Sequence, residues 1–221
     1  MNKYKIILFD LDGTLSDSKE GITKSIQYAL QKMNMAAPDL NMLQCFLGPA
    51  IQVSFAKYYG LDREKTERAT SYYRERFKDK GMFENKLFPG IPELLKELKE
   101  HQKILVVATS KPTVFAEQIL EYFSIDKYFD LIVGSHLDGT RTSKTEIIQF
   151  IFDKLKEHKR DGFIMIGDRK YDIIGANNTG IDSIGVTYGY GSLEELKHYN
   201  PTFIANSVNQ IKDILIKNPV N

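Results

Sequence analysis

Asp10 and Asp12 sit two residues apart in D-L-D-G-T-L, directly after the apolar run at residues 4–9. Two carboxylates about 4 Å apart repel by about 4 kcal/mol where the effective dielectric is near 20. Such a pair needs a cation, a shared proton or separation into different environments. Its hard oxygen atoms suit Mg²⁺. Gly13 and Thr14 follow, and Asp-Gly after an apolar run is also a common turn signal, so this segment alone reads either as a turn or as a site. A second acidic pair, Asp168 and Asp172, lies in F-I-M-I-G-D-R-K-Y-D. Spacing of four puts both on one helical face, where Asp172 can orient Asp168 or a metal-bound water. The other reading is an N-cap at Asp168 and a first-turn acid at Asp172, favoured by the helix dipole. V-V-A-T-S-K-P offers the hydroxyls of Thr109 and Ser110 beside an expected helix N-terminus, with Pro112 in its first turn. That is an anion site fit for a phosphoryl group, or simple capping. Lys144 opens a helix after D-G-T-R-T-S; a lone lysine is ordinarily a solvated surface charge.

The elements that must position these side chains are legible as short apolar runs. Residues 4–9, 104–108, 131–133, 163–166 and 183–186 read as buried strands, each bounded by Gly, Asp, Ser or Thr, with amphipathic stretches between most of them. Strands alternating with helices predict a doubly wound α/β fold, a parallel sheet with helices on both faces. In such sheets ligands bind beyond the carboxyl ends of the strands. Asp10, Thr109 and Asp168 all fall at strand ends, and Lys144 follows another. Three acids, a hydroxyl pair and a lysine on one sheet edge supply what phosphoryl transfer needs: a nucleophile, an acid/base, a metal and positive charge for the equatorial oxygens.

One interval breaks the alternation. Ile22, Ile26, Ala29, Leu30 and Met33 form an apolar stripe at helical spacing, and residues 53–59 and 65–77 carry further helical signals. Pro38, Gly48-Pro49 and Pro89-Gly90 punctuate the region, and residues 92–101 resume as a helix of the core. A helical cap domain over residues 17–86, inserted into a core of residues 1–16 and 87–221, is the simplest reading. The alternative is extra helices packed on a single domain. The mixed charges from Arg63 to Lys80 read as a solvated helix face.

Composition excludes several function classes. The 221 residues carry 30 basic and 29 acidic side chains, a net charge of +1, so nothing electrostatic favours a nucleic acid polymer or an anionic membrane as partner. The lone Cys45 cannot form an intrachain disulfide. Lys3 and Lys5 precede an apolar stretch of only four residues, too short for a signal-peptide core, and no run approaches membrane-spanning length. A cytoplasmic protein, monomeric or homodimeric, is the expectation. The four histidines, His101, His136, His158 and His198, show no metal-ligand spacing and are expected at the surface. The tyrosine pairs at 58–59 and 72–73 read as packing aromatics.

Taken together, these segments resemble the four motifs of the haloacid dehalogenase superfamily, in family order and across almost the whole chain. D-x-D-G-T-L matches at Asp10 to Leu15, a Thr ending an apolar strand at Thr109, the lysine at Lys144, and G-D-x-x-x-D at Gly167 to Asp172. The helical insertion resembles the family's cap. The resemblance implies a Mg²⁺-dependent phosphatase in which Asp10 attacks phosphorus and becomes an aspartyl phosphate. Asp12 would protonate the leaving oxygen and then activate water. Mg²⁺ would be held by the Asp10 carboxylate, the Asp12 backbone carbonyl and Asp168, with Asp172 at or beyond the edge of its shell. Thr109 would bind the phosphoryl group and Lys144 would neutralise Asp10. Gly13, Thr14, Ser110, Lys111, Gly48 in F-L-G-P and Arg141 are candidate phosphate or substrate contacts; for Arg141 a solvated loop charge is the competing reading. Asp12 itself argues against dehalogenase chemistry, because that branch lacks the second acid. Residues 135–144 and 167–176 resemble most a bacterial branch of 5′-nucleotidases, with phosphoglycolate phosphatases as close relatives. The implied substrate is a nucleoside monophosphate or a sugar or organic-acid phosphate. A phosphomutase of the β-phosphoglucomutase type is the competing enzyme class.

Overall fold

The computed structural model describes residues 3–217. Its centre is β1 (Ile6–Phe9), four fully buried apolar residues flanked on both sides by parallel strands. A strand buried on both faces must be apolar throughout, and this one is. β4 (Ile104–Pro112) and then β5 (Leu131–Ser135) lie to one side; β6 (Phe163–Gly167), β7 (Asp182–Val186) and β8 (Phe203–Ala205) lie to the other. All six strands are parallel, so the doubly wound α/β sheet read from the sequence is the one observed. The chain builds outward from β1 in one direction and then returns to build in the other. That reversal opens a crevice at the carboxyl end of β1, where ligands bind in such sheets.

Helices α4 (Ile91–Glu100), α5 (Thr113–Tyr122), α6 (Lys144–Lys154) and α7 (Lys170–Thr179) connect the strands. Short helices α8 (Leu193–His198) and α9 (Val208–Lys212) follow, and a π-helical turn, Asp213–Lys217, ends the described residues. β8 was not foreseen: F-I-A is three residues long, half-buried and followed by an Asn-Ser turn, a weak signal for an edge strand.

Between β1 and β4 the chain is helical. α1 (Lys19–Lys32), α2 (Ile51–Tyr59) and α3 (Arg63–Arg76) are separated by a 3₁₀ segment, Leu40–Phe46. The stripe on α1 is buried at Ile22, Ile26, Ala29 and Leu30, whereas Met33 is only partly covered. Two short strands, β2 (Ser16–Asp17) and β3 (Lys86–Leu87), lead into and out of this region and pair antiparallel. The apolar contact continues into the core, with Phe77 edge-on to Phe115 of α5 at 5.6 Å. Tyr58 and Tyr59 pack on Phe46, and Tyr73 stacks on Phe77.

Two expectations need correction. The mixed charges of α3 are not wholly solvated: Arg76 is bound by both carboxylate oxygens of Glu84, at 2.8 and 2.9 Å, and Arg74 is half-buried. Pro112 is not in a helical turn. β4 runs on past a register shift after Ala108 and pairs Pro112 with Ser135, so α5 starts only at Thr113.

Candidate active site

Asp10 is the first residue beyond β1, and the strand pairing sets its position: its amide donates to the Ile166 carbonyl of β6 at 2.9 Å. Its carboxylate Oδ1 accepts from the Leu11 amide at 2.8 Å and from Lys144 Nζ at 2.7 Å. Lys144 is placed by its helix. Ser143 and Glu146 form a capping box at the start of α6, which fixes the first turn that carries the lysine. The lysine is not solvated but 3% exposed, and it also contacts Asp172 Oδ1 at 2.8 Å and the Ala108 carbonyl at 2.5 Å. Burial opposes its charge, yet Asp10 and Asp172 outweigh burial and hold its pKa above the ordinary value.

Asp168 and Asp172 join Asp10 in one buried group in which one carboxylate oxygen from each lies within 4.8 Å of the others. Asp168 follows β6 directly. Its Oδ2 accepts from the Tyr190 amide at 2.7 Å and its Oδ1 from the Thr14 hydroxyl at 3.4 Å. The helix itself begins after Asp168, and Asp172 Oδ2 accepts from the Arg169 amide at 3.0 Å. Asp172 is thus the expected first-turn acid, but the N-cap is Arg169 and not Asp168, and the other Asp172 oxygen contacts Lys144. Burial pushes Asp10 up to about 7, with Asp172 and Asp12 adding to the shift and Lys144 opposing it. Burial likewise raises Asp168 well above the usual carboxylate range, reinforced by Asp172 and Asp10.

These charges do not balance. Three carboxylates meet one ammonium, so ionising all three would leave two negative charges in a buried, all-oxygen site. A hard divalent cation is the group that fits such a donor set. The chain crowds this point: a Cβ on Gly13, whose φ is +85°, would lie 2.2 Å from Asp168 Oδ2.

The Asp12 carboxylate turns away from that group. Its Oδ2 pairs with Lys111 Nζ at 3.0 Å and its Oδ1 accepts from the Ser18 hydroxyl at 2.5 Å. Thr109 is 1% exposed, and its Oγ1 accepts from the Lys111 amide at 3.2 Å. The Ser110 hydroxyl donates to the Thr142 carbonyl at 3.0 Å, bracing the loop before Lys144. Arg141 is neither in this group nor free in solvent; its Nε donates to the Gly134 carbonyl at 2.9 Å and its guanidinium covers the Phe150 ring. Gly48 adopts φ +111°, and a Cβ there would lie 2.9 Å from Arg169 Cγ. Arg169 donates to the neighbouring Leu47 carbonyl and to Glu195. The F-L-G-P loop thus rests on the segment that carries Asp168.

A cavity of about 50 Å³ opens between Asp12, Ser110 and Lys111 on one side and Gly48, Tyr73 and Arg74 on the other. Three contributors escaped the sequence reading. Ser18 touches Asp12, and T-Y-G-Y-G at 187–191 wraps Asp168, with the Tyr188 hydroxyl donating to the Thr14 carbonyl at 3.0 Å. The signal for that loop was available: alternating Gly and Tyr directly after a strand, on the edge where ligands bind. Arg74 was hidden among the charges of its helix.

Comparison with known proteins agrees with this geometry. Residues 7–186 match the model of the haloacid dehalogenase-like hydrolases. The chain is 45% identical to a 5′-nucleotidase of Pseudomonas aeruginosa over 96% of each chain. It is 33% identical to tyrosine-protein kinase PtkA of Mycobacterium tuberculosis, over 96% of this chain and 72% of that one. The crystal structure of a predicted phosphatase from Clostridium acetobutylicum superimposes with a TM-score of 0.94 at 51% identity, covering 97% of this chain and 99% of the other.

Proposed function

The chain belongs to the haloacid dehalogenase-like hydrolases and is a phosphatase of that family; from that premise we propose that it hydrolyses small phosphomonoesters through a phosphorylated Asp10. The observation that carries the proposal is the convergence of Asp10, Lys144, Asp168 and Asp172 in one buried group at the carboxyl end of β1. A carboxylate buried at this depth is a poor ion on its own, and Lys144 opposes that shift in favour of the ionised form that attacks.

In the first half-reaction the Asp10 carboxylate forms a bond to phosphorus as the ester P–O bond breaks. Asp12 gives its proton to the departing oxygen. In the second, Asp12 takes a proton from water, the water oxygen attacks phosphorus, and phosphate leaves with Asp10 regenerated. Lys111 and Ser18 hold Asp12 on the cavity wall, where a leaving oxygen would lie. Thr109 already accepts from the Lys111 amide, so its own proton is available to a phosphoryl oxygen. Mg²⁺ would be held by Asp10, the Asp12 carbonyl and Asp168, where it would offset the charge on the transferring group. Asp172 acts through Lys144.

For substrate, the 45% identity to a 5′-nucleotidase over nearly full length favours a nucleoside 5′-monophosphate. A second reading has its own support. A cavity needs roughly 10–15 Å³ to hold one water, so one of about 50 Å³ admits a group of a few atoms. As it stands it suits a small organic-acid phosphate such as phosphoglycolate. A nucleoside requires the helices of residues 17–86 to move as a cap. The paired β2 and β3 strands, where the chain enters and leaves that region, are the pivot we propose.

A screen of phosphorylated metabolites with and without Mg²⁺ tests the proposal. Release of inorganic phosphate only with the metal is the expected result. Isomerised sugar phosphate in place of free phosphate would make the enzyme a mutase, and transfer to a protein tyrosine would make it a kinase like its mycobacterial relative.

A further inference from the structure

Arg74 lies near the end of α3 and lines the cavity that also holds Asp12, Ser110 and Lys111. Its Nε and Nη2 are withdrawn from water and meet no hydrogen-bond partner among the described residues. Every other arginine or lysine in contact with this cavity or its loop is satisfied: Lys111 by Asp12, Arg169 by Glu195 and the Leu47 carbonyl. Two residues further along the same helix, Arg76 is satisfied three times over by Glu84 and Ser25. Buried donors without partners are rare in folded proteins, because each costs the desolvation it never recovers. Burial also pulls the Arg74 guanidinium below its ordinary pKa, with only the Tyr73 hydroxyl nearby to oppose the shift.

We propose that Arg74 is a specificity-determining residue that binds a pair of adjacent hydrogen-bond acceptors on the leaving group of the phosphoester. This inference rests on the phosphatase reading of the site. The geometry that supports it is one of division. Asp10 and Lys144 form a buried ion pair that does not itself line the cavity, whereas Arg74 lines it from α3 together with Asp12, Ser110 and Lys111. A guanidinium there presents parallel N–H donors in a fixed fork, which a carboxylate or the edge of a nucleobase matches and an alkyl group does not. The remaining walls, including Phe46, Tyr73, Phe77 and Phe115, offer no competing charge. An acceptor bound at Arg74 in this apolar frame is recognised strongly, and a substrate lacking one leaves the donors unpaired.

The test compares Arg74→Ala and Arg74→Lys with the unmodified enzyme on two matched pairs, each with Mg²⁺. The pairs are 2-phosphoglycolate against ethyl phosphate, and nucleoside 5′-monophosphates against ribose 5-phosphate. We expect kcat/KM to fall about 10- to 100-fold on the member of a pair that carries the acceptor, mostly through KM, with the other member changed less than about 3-fold. Arg74→Lys keeps the charge and stem but not the fork, and should recover only part of the loss. A selective loss on 2-phosphoglycolate identifies a carboxylate as the acceptor; a selective loss on the nucleotides identifies the base. Equal loss on all four esters, or no loss on any, overturns the role of Arg74 while leaving the phosphatase intact. Should the unmodified enzyme hydrolyse none of them with Mg²⁺, the phosphatase reading itself fails, and the inference with it.

Discussion

At the scale of single residues, Asp10 depends for its charge on Lys144. Asp10→Asn is expected to lower kcat by at least about 10³-fold while circular dichroism stays unchanged, because the amide keeps the shape and loses the nucleophile. Lys144→Ala is expected to do more harm to the fold than to any surface contact. It leaves Asp10 and Asp172 buried without their cation, a class of change that costs about 3–5 kcal/mol, readable as a shifted urea midpoint. The acids themselves also make stability depend on pH. In the metal-free protein Asp10 and Asp168 hold their protons at pH values where the unfolded chain has lost them. For Asp10 that contribution is complete below about 4 and is lost as pH rises through about 7. Calorimetry in EDTA should therefore show Tm falling across this window through Asp10, with Asp168 acting in the same direction. Mg²⁺ at 100 times its Kd should restore about 2.7 kcal/mol at pH 7.5, or roughly 5–10 °C for a chain of this size. A Tm indifferent to Mg²⁺ would contradict the charge count of the site.

Elements decide which of these residues could be read in advance. Asp10, Thr109 and Asp168 were legible because a buried strand announces itself as a short apolar run, and a parallel sheet sends all its carboxyl ends to one edge. Lys144 was legible from its place after a turn, but its burial was not, since nothing local distinguishes it from a surface lysine. Ser18 and Arg74 were not legible at all, and Tyr190 only as part of the Gly-Tyr alternation after a strand. Each reaches the site from an element whose approach depends on packing: Ser18 from the paired β2–β3 entry, Tyr190 from the loop after β7, Arg74 from α3. Pro112 misled for a similar reason, because β4 continues past the shift at Ala108 where pairing with β5 is still available. The capping box of α6 gives a prediction on this scale. Ser143→Ala should cost about 1 kcal/mol and lower kcat as well, because the turn it releases is the one that holds Lys144 against Asp10. Loss of stability without loss of kcat would show that Lys144 is positioned by its acids alone.

Across the whole molecule, the parallel sheet and the helices of residues 17–86 divide the labour. The sheet edge supplies the acids and α6 the lysine that meets them, and the helical region supplies the far wall of the cavity. The contact from Arg169 to the Leu47 carbonyl ties that wall to the strand end carrying Asp168, and Phe77 packs across the same junction. None of the helices in the described residues is long and apolar enough to cross a membrane, in line with the sequence. The measurement that bears most directly on this account is capture of the intermediate. The enzyme, mixed with a phosphoester it turns over and Mg²⁺, is quenched in acid within one turnover and digested for mass spectrometry. The account predicts phosphate on the peptide carrying Asp10, absent from Asp10→Asn. Undiminished turnover by Asp10→Asn, or phosphate on a different residue, would contradict it.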